Sequence, residues 1–165
     1  QNVVMLVLPE GEDEGAAEAA EKAGAQLDAT VIVHPMAAGA DEKAGADAIA
    51  KAIADFSPDT VYMPSLHDQD DHRSTVHQAG LVAAGSIPNL YCYQTVSTTT
   101  DFRPTLFVGV DDYLDGKVEL VSTYDGVVED SPAYSPDLIR STARYWGRFD
   151  AFESVEPLEV VRSEV

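Results

Sequence analysis

Short, wholly apolar runs alternate along this chain with stretches whose apolar residues recur at helical spacing, and this alternation limits its possible folds more than any other feature. The first run, residues 3–8, is valine-rich and ends at Pro9. This run is too short for a buried helix, and it lacks the alternation of polar and apolar residues that is typical of a strand with one solvent-exposed face. Strands buried on both faces occur in parallel sheets that helices cover on each side. The pattern therefore predicts an α/β domain with a mostly parallel sheet and helices on both faces.

The predicted elements follow one another without an internal repeat over residues 1–165, a length that suits a single domain. Asp41, and Ser135 followed by Pro136, are residue types that begin helices. Ligands of open α/β sheets bind at the carboxyl ends of the strands, so the loops that follow residues 8, 33, 63 and 93 are the candidate positions for a site. Strands are predicted over residues 3–8, 29–33, 60–63, 90–93, 105–110 and 155–161, and helices over residues 14–25, 41–56, 71–84, 111–121 and 135–147.

The charge of the chain excludes several classes of partner. It has 29 acidic and 10 basic residues, a formal net charge of −19 and a pI near 4.2. Such a surface repels phosphate groups, so nucleic acids and anionic membranes are poor partners. No apolar stretch reaches the roughly 18 residues of a membrane span and no secretory signal is visible, which makes a cytoplasmic location the default. The dense carboxylates are typical of a protein that is kept soluble in a high-salt environment.

The loop after the third predicted strand holds the densest group of residues that could carry chemistry. Residues 64–73 read Pro-Ser-Leu-His-Asp-Gln-Asp-Asp-His-Arg, with two histidines and three aspartates ahead of a predicted helix. Because Cys92 is the only cysteine, a zinc ion would need imidazole and carboxylate ligands, and this loop offers both. The alternative is a solvated acidic cap on the helix, and the spacing alone leaves both interpretations open.

The sequence around this loop resembles a motif of a known enzyme family. Tyr-Met-Pro-Ser-Leu-His-Asp at 62–68, followed by Asp-His-Arg at 71–73, is similar to the second motif of the PIG-L/LmbE-type zinc-dependent de-N-acetylases, the family of the GlcNAc-PI de-N-acetylases. The resemblance continues in order through most of the chain, in segments 54–62, 97–105, 110–118 and 155–160.

This resemblance implies a Rossmann-like fold and the zinc-dependent removal of an acetyl group from an N-acetylated sugar. It implies that His72 corresponds to a zinc ligand and that Asp71 is the acidic neighbour that orients a histidine. Many members have a histidine three residues before the ligand, where it can stabilise the oxyanion; Gln69 stands there, and His67 is the catalytic candidate that could reach in instead. A further family histidine is replaced by Tyr124.

The family's first zinc motif, Ala-His-Pro-Asp-Asp-Glu, is absent from the sequence. In one register, residues 6–12 match the family's second strand and the turn after it, and the first strand is missing. In the other, residues 9–14 are a decayed motif with Glu10 in place of the ligand histidine. The first register is favoured because the stretch before His72 is too short for the second. It predicts an incomplete sheet that associates with another chain or is filled by a segment of its own.

Two functions remain open for such a chain. His72 with one carboxylate neighbour falls short of the three protein ligands of a catalytic zinc site, which favours a non-catalytic binding or structural module. The other function is an active zinc-dependent deacetylase of N-acetylated sugars whose missing ligands lie upstream or in a partner chain.

Three further features are weaker candidates. His34 follows the second strand at the same sheet edge as His72, although a turn role is commoner. His77 lies about 140° around the helix from His72, so the two cannot bind one metal and His77 is expected to be structural. The aromatic residues near the end of the last helix could stack on a sugar, but their spacing is more typical of core: Tyr145, Trp146, Phe149 and Phe152.

Overall fold

The structure is a computed structural model that describes residues 2–39, 41–124 and 131–164. The order of strands and helices agrees with the α/β alternation of the sequence. The strands are β1 (Val3–Val7), β2 (Ala29–Val33), β3 (Thr60–Pro64), β4 (Asn89–Tyr93), β5 (Leu106–Gly109) and β6 (Val155–Arg162); the helices are α1 (Glu14–Leu27), α2 (Glu42–Phe56), α3 (Asp71–Ala83), α4 (Leu114–Ser122) and α5 (Pro136–Gly147), with a short 3-10 helix at Pro132–Tyr134.

Four of the helices begin at a side chain that accepts a hydrogen bond from the first turn. The caps are Asp13 for α1, Asp41 for α2, Asp70 for α3 and Ser135 for α5. Each satisfies amide groups that the helix itself leaves without a partner. The abundance of aspartate in this chain therefore serves local structure as well as charge.

The helix predicted over residues 111–121 begins three residues later, at Leu114. The carboxylate of Asp111 instead accepts hydrogen bonds from the amides of Glu153 at 3.3 Å and Ser154 at 2.6 Å, just ahead of β6. Since this long-range contact fixes Asp111 at the edge of the sheet, the first helical turn forms only beyond it. Sequence periodicity could not reveal a partner 43 residues away.

The strands form two sheets of mostly parallel strands. β1 pairs with β2 in one sheet, and the other has the order β3-β4-β6-β5. Both β1–β2 and β3–β4 are parallel, whereas β6 runs antiparallel to β4 and β5. Helices pack on both faces, because Gly24 of α1 lies against Val31 while Leu6 of β1 packs against the cluster formed by α2 and α3. The prediction of a mostly parallel α/β fold with helices on both faces is confirmed. The strands form two separate sheets, one with β1 at its edge and the other with β3 at its edge.

The core of the larger sheet lies under α3. Met63, Leu90 and Cys92 are almost fully buried there with Ala84 and Ile87. No helix within the described residues is long and apolar enough to cross a membrane. The carboxyl ends of β3 and β4, and the loops that follow them, are thus held on a rigid apolar base.

Candidate functional site

The loop between β3 and α3 is shaped by its own aspartates. The carboxylate of Asp70 accepts hydrogen bonds from the amides of His72 at 2.9 Å and Arg73 at 3.3 Å, which caps α3. The carboxylate of Asp68 accepts one from the amide of Asp70 at 2.9 Å. Two of the three aspartates in the predicted ligand loop are therefore engaged in folding the loop itself.

Asp68 is the centre of the site, although sequence reasoning gave it no role of its own. Its side chain is fully buried and accepts hydrogen bonds from the hydroxyl groups of Thr95 and, at 2.7 Å, Ser97. The Arg73 guanidinium lies 3.7 Å from the Asp68 carboxylate and donates to the Ser97 hydroxyl at 2.5 Å. The sequence signal for this network was the segment after β4, which is rich in threonine and serine. The carboxyl ends of neighbouring parallel strands meet at one edge of the sheet, so these hydroxyl groups could be expected near the loop after β3.

The environment of Asp68 favours its charged form. Burial by itself raises the pKa of this carboxyl group, but the hydroxyl groups of Thr95 and Ser97, the Asp70 amide and the nearby Arg73 outweigh burial and hold the pKa below its ordinary value. The buried carboxylate is therefore ionised at neutral pH and ties the loop after β3 to the loop after β4.

His67 points towards β6 and not towards α3. Its amide donates to the Ser65 hydroxyl at 3.1 Å, and that hydroxyl donates to Glu159 at 2.6 Å. The His67 Nε2 lies 4.0 Å from Oε1 of Glu159, which also accepts from the Arg103 amide at 2.9 Å. The structure thus places His67 beside a carboxylate of β6 that the sequence analysis had not connected with it.

His72 and Asp71 lie at the start of α3, beside the end of β1. The His72 Nε2 donates to the carbonyl oxygen of Leu8 at 2.6 Å, because a carbonyl group can only accept. His72 is half-buried and Asp71 is exposed, with its backbone carbonyl accepting from Thr75 at 3.0 Å. The imidazole nitrogen that faces the carboxyl end of β1 is therefore engaged with protein backbone.

The described chain brings together fewer possible metal ligands than a catalytic zinc site needs. A catalytic zinc site has three protein ligands and one open position. Within residues 2–39, 41–124 and 131–164, no three side chains of histidine, cysteine, aspartate or glutamate come together as a possible metal site.

The other positions singled out in the sequence are dispersed. Gln69 and His34 are exposed, and the carboxylate of Glu10 accepts from the amide of Gly39 at 3.1 Å. His77 is buried and its Nδ1 donates to the carbonyl oxygen of Pro64 at 2.9 Å. Near it, burial raises the pKa of the Cys92 thiol to about 12, with a smaller contribution from the Glu159 charge.

A cavity of about 840 Å³ opens beside the Asp68 network, between the loop after β4 and helices α4 and α5. Its polar wall includes Arg73, Thr95 and Tyr124, and burial raises the pKa of the Tyr124 hydroxyl group. Its apolar wall includes Val121 and Ile139 with further aliphatic residues of α5 and β6. This volume suits a small-molecule ligand, and pockets of this kind combine an apolar lining with a few directed polar groups.

The aromatic residues near the end of α5 divide between two environments. Trp146 is half-buried, and its indole nitrogen donates a hydrogen bond to the side-chain oxygen of Gln94 at 2.9 Å. Gln94 lines the cavity. Tyr145, Phe149 and Phe152 are 51%, 49% and 51% exposed. The expectation that this set forms core is therefore wrong for these three residues, which lie at the surface. There the Phe149 ring stacks on Phe107 and contacts Tyr145.

The fold of this chain is shared with two solved structures. The conserved protein TT1542 from Thermus thermophilus superposes with a TM-score of 0.80 at 15% sequence identity, over 99% of this chain and 83% of that one. The A40926 pseudoaglycone deacetylase Dbv21 superposes with a TM-score of 0.69 at 15% identity, over 99% of this chain and 87% of that one. No protein-family model matches the chain, and no curated protein matches it either. The α/β fold of this chain is therefore the fold that these two structures have.

Proposed function

We propose that this chain is a PIG-L/LmbE-like de-N-acetylase domain that binds an N-acylated sugar and that, in the form of residues 1–165, does not catalyse its hydrolysis. One observation carries the proposal: the cavity beside Asp68 and Arg73 is formed, whereas the described residues do not assemble three metal ligands around His72. The shared fold with the deacetylase Dbv21 supports the family assignment. The sequence motif of the loop after β3 supports it independently.

The cations in the cavity wall favour an uncharged ligand. Arg73 lies 3.7 Å from the carboxylates of both Asp68 and Asp70, and Lys117 is paired with Glu156. Because each cation already has a carboxylate partner, neither is free to neutralise an anionic ligand, and the net charge of −19 repels one. A neutral sugar with hydroxyl and amide groups meets the polar wall, and an apolar substituent meets the aliphatic wall.

Ligand binding tests the cavity. Octyl 2-acetamido-2-deoxyglucoside, a neutral amphiphile, should bind in isothermal titration calorimetry, and N-acetylglucosamine 6-phosphate should bind at least about tenfold more weakly. Ile139→Trp, which fills the cavity from α5, should abolish binding, whereas Ser141→Trp on the exposed side of the same helix should leave it unchanged. Equal or tighter binding of the phosphate would contradict a neutral ligand, and full binding by the Ile139→Trp variant would place the ligand elsewhere.

Metal content tests the absence of catalysis. After dialysis the purified chain should carry far less than one zinc ion per molecule and should not deacetylate N-acetylglucosamine derivatives above the buffer rate. His72→Ala should not change the metal content, and it should lower the stability by only about 1 kcal/mol, the usual value of a single hydrogen bond. The control is His34→Ala, an exposed histidine that follows β2.

The second candidate function is an active zinc-dependent deacetylase completed by ligands from outside these residues. The position of His72 beside Leu8, at the carboxyl end of β1, favours it, because ligands of α/β sheets gather at this edge. If the purified chain carries one zinc ion and the substitution His72→Ala removes it, this second function is established and the first is wrong.

A further inference from the structure

The side chain of Gln94 is held in one orientation at the wall of the cavity. Gln94 follows β4, and its side-chain oxygen accepts a hydrogen bond from the indole nitrogen of Trp146 at 2.9 Å. An indole N–H can only donate, so it selects the oxygen of the amide group and turns the amide nitrogen, Nε2, the other way. The two ends of this amide group are therefore distinguished by a partner 52 residues away along the chain.

Trp146 is itself fixed by four aromatic rings. Its ring makes edge contacts with Phe102 and Tyr145, at centroid distances of 6.2 and 5.0 Å, and tilted contacts with Phe107 and Phe149, at 6.3 and 5.7 Å. Phe102 is buried, so the cluster is anchored in the interior of the domain. The amide group that this indole orients thus loses little freedom when a ligand binds, which favours binding.

The Nε2 atom of Gln94 has no acceptor among the described residues. The oxygen of this amide group makes one hydrogen bond there and its nitrogen makes none. Every buried side-chain nitrogen or oxygen of the described residues has a partner, so Nε2 is accessible to solvent, and Gln94 lines the cavity. Nε2 therefore offers two N–H donors and no acceptor to a molecule bound there.

Other polar groups of the cavity wall are less selective. The hydroxyl groups of Thr142 and Tyr124 can either donate or accept a hydrogen bond. The charge of Arg73 is balanced by the carboxylates of Asp68 and Asp70. Because Nε2 of Gln94 can only donate, it distinguishes a ligand atom that accepts a hydrogen bond from one that donates.

A carbonyl oxygen is the ligand atom that fits a group of this kind. A carbonyl can only accept, so its bond to Nε2 leaves no ligand proton without a partner. A ligand hydroxyl in the same place would bring its own O–H, and the Gln94 oxygen that could receive that proton is engaged with Trp146. An ammonium group would place donors against donors. Since a buried polar group without a partner costs more than a hydrogen bond contributes, this side of the cavity favours a carbonyl group.

We infer that Gln94 is the residue by which the cavity distinguishes an N-acylated sugar from the same sugar without its acyl group. Its Nε2 donates to the acyl carbonyl oxygen, and Trp146 is a positioning residue that keeps Nε2 turned towards the ligand. The inference rests on the proposed function, because it requires a neutral N-acylated sugar in the cavity. It adds that the acyl group itself is recognised, so that the cavity retains the N-acyl compound and rejects the amine.

Calorimetric titration with three octyl glycosides tests this recognition. Octyl 2-acetamido-2-deoxyglucoside should bind at least about tenfold more tightly than octyl glucoside, which has a hydroxyl group in place of the acetamido group. The protonated amine, octyl 2-amino-2-deoxyglucoside, should also bind at least about tenfold more weakly than the acetamide. The comparison is made in about 1 M salt, where a Debye length of about 3 Å screens the attraction of the amine to the net charge of −19.

The substitution Gln94→Glu should invert the preference. It keeps an oxygen for Trp146 and replaces the donor with an acceptor, so the variant should bind the amine more tightly than the acetamide. Gln26→Glu is the matched control, because Gln26 is an exposed glutamine of α1 and its substitution adds the same charge. This control should keep the wild-type order of affinities. A Gln94→Glu variant with the wild-type order would overturn the inference.

The substitution Trp146→Phe tests the positioning role. It keeps an aromatic ring but removes the N–H that orients Gln94, so the amide group can present either end to the ligand. The ratio of the acetamide affinity to the octyl glucoside affinity should fall at least about threefold. A merely structural role of Trp146 would weaken both ligands equally, and an unchanged ratio would overturn the positioning role.

A measurement on the wild-type chain does not depend on how any variant folds. The side-chain NH₂ resonances of Gln94 should shift in the NMR spectrum when the acetamide binds and should not shift with octyl glucoside. Unshifted resonances with the acetamide bound would overturn the inference.

The outcomes also separate this inference from the proposed function. Equal affinity of the wild-type chain for the acetamide and octyl glucoside, with both lost in Ile139→Trp, would keep a ligand in the cavity and overturn the role of Gln94 alone. No binding of the acetamide would overturn the proposed function and this inference with it.

Discussion

Replacing Asp68 by alanine should destabilise the protein by about 3 kcal/mol, which for a chain of this size lowers the melting temperature by roughly 6 to 12 °C. The substitution removes the common acceptor of the Thr95 and Ser97 hydroxyl groups and the Asp70 amide, and it leaves Arg73 without its buried counter-charge. Thermal and urea unfolding measure the effect. Asp71→Ala is the matched control, because Asp71 is exposed at the start of α3, three residues after Asp68. Its loss should lower the stability by less than about 1 kcal/mol.

The contribution of Asp68 should also depend on pH in one direction. The pKa of Asp68 in the folded chain lies below its unfolded value of about 3.9, so the unfolded state binds more protons in the interval between the two values. The stability advantage of the wild-type chain over Asp68→Asn should therefore be complete above about pH 5 and should be lost as the pH falls through the folded-state pKa. An advantage that grows on acidification, or an Asp68→Ala variant as stable as Asp71→Ala, would refute the central role of this carboxylate.

The midpoint of thermal unfolding should rise steeply between 0.1 and 2 M sodium chloride. The net charge is −19, and all four lysines are already paired with carboxylates: Lys22 with Glu18, Lys43 with Asp47, Lys51 with Asp55 and Lys117 with Glu156. Repulsion among the remaining carboxylates acts over a Debye length of about 10 Å at 0.1 M salt and about 3 Å at 1 M. Salt should therefore stabilise the compact state by screening.

A charge-reduced variant separates screening from general salting-out. Glu21, Glu42 and Glu119 are exposed, and replacing all three by glutamine takes the formal charge from −19 to −16. This variant should be more stable than the wild type at 0.1 M salt and should gain less from 2 M salt. A flat salt profile of the wild-type chain would refute adaptation to high salt, and identical slopes for the two proteins would show that charge is not the cause.

Local sequence determined most of the secondary structure of this protein. Helix caps such as Asp41 and Asp70 act within three residues, and apolar runs such as residues 3–8 have no alternative to burial in a sheet, so both are visible in a single sequence. The start of α4 was the exception, because Asp111 is held by amides of residues 153 and 154 and no local pattern encodes that contact. The polar segment of residues 64–73 lies where the sequence predicted it, from the last residue of β3 into the first turn of α3.

Only the tertiary structure decided which side chains of that loop meet. The sequence singled out His67, Asp71 and His72 and gave Asp68 no role. In the structure the pairing of β3 with β4 brings Asp68 to Ser97, and the order of the larger sheet brings His67 towards Glu159. Helix α3 turns His72 towards Leu8. These three contacts span 29, 92 and 64 residues of chain. Their geometry follows from strand order and helix packing, which depend on burial summed over the whole domain. The spacing of residues along the chain does not encode this burial, so it predicted the position of the loop but not the contacts of its side chains.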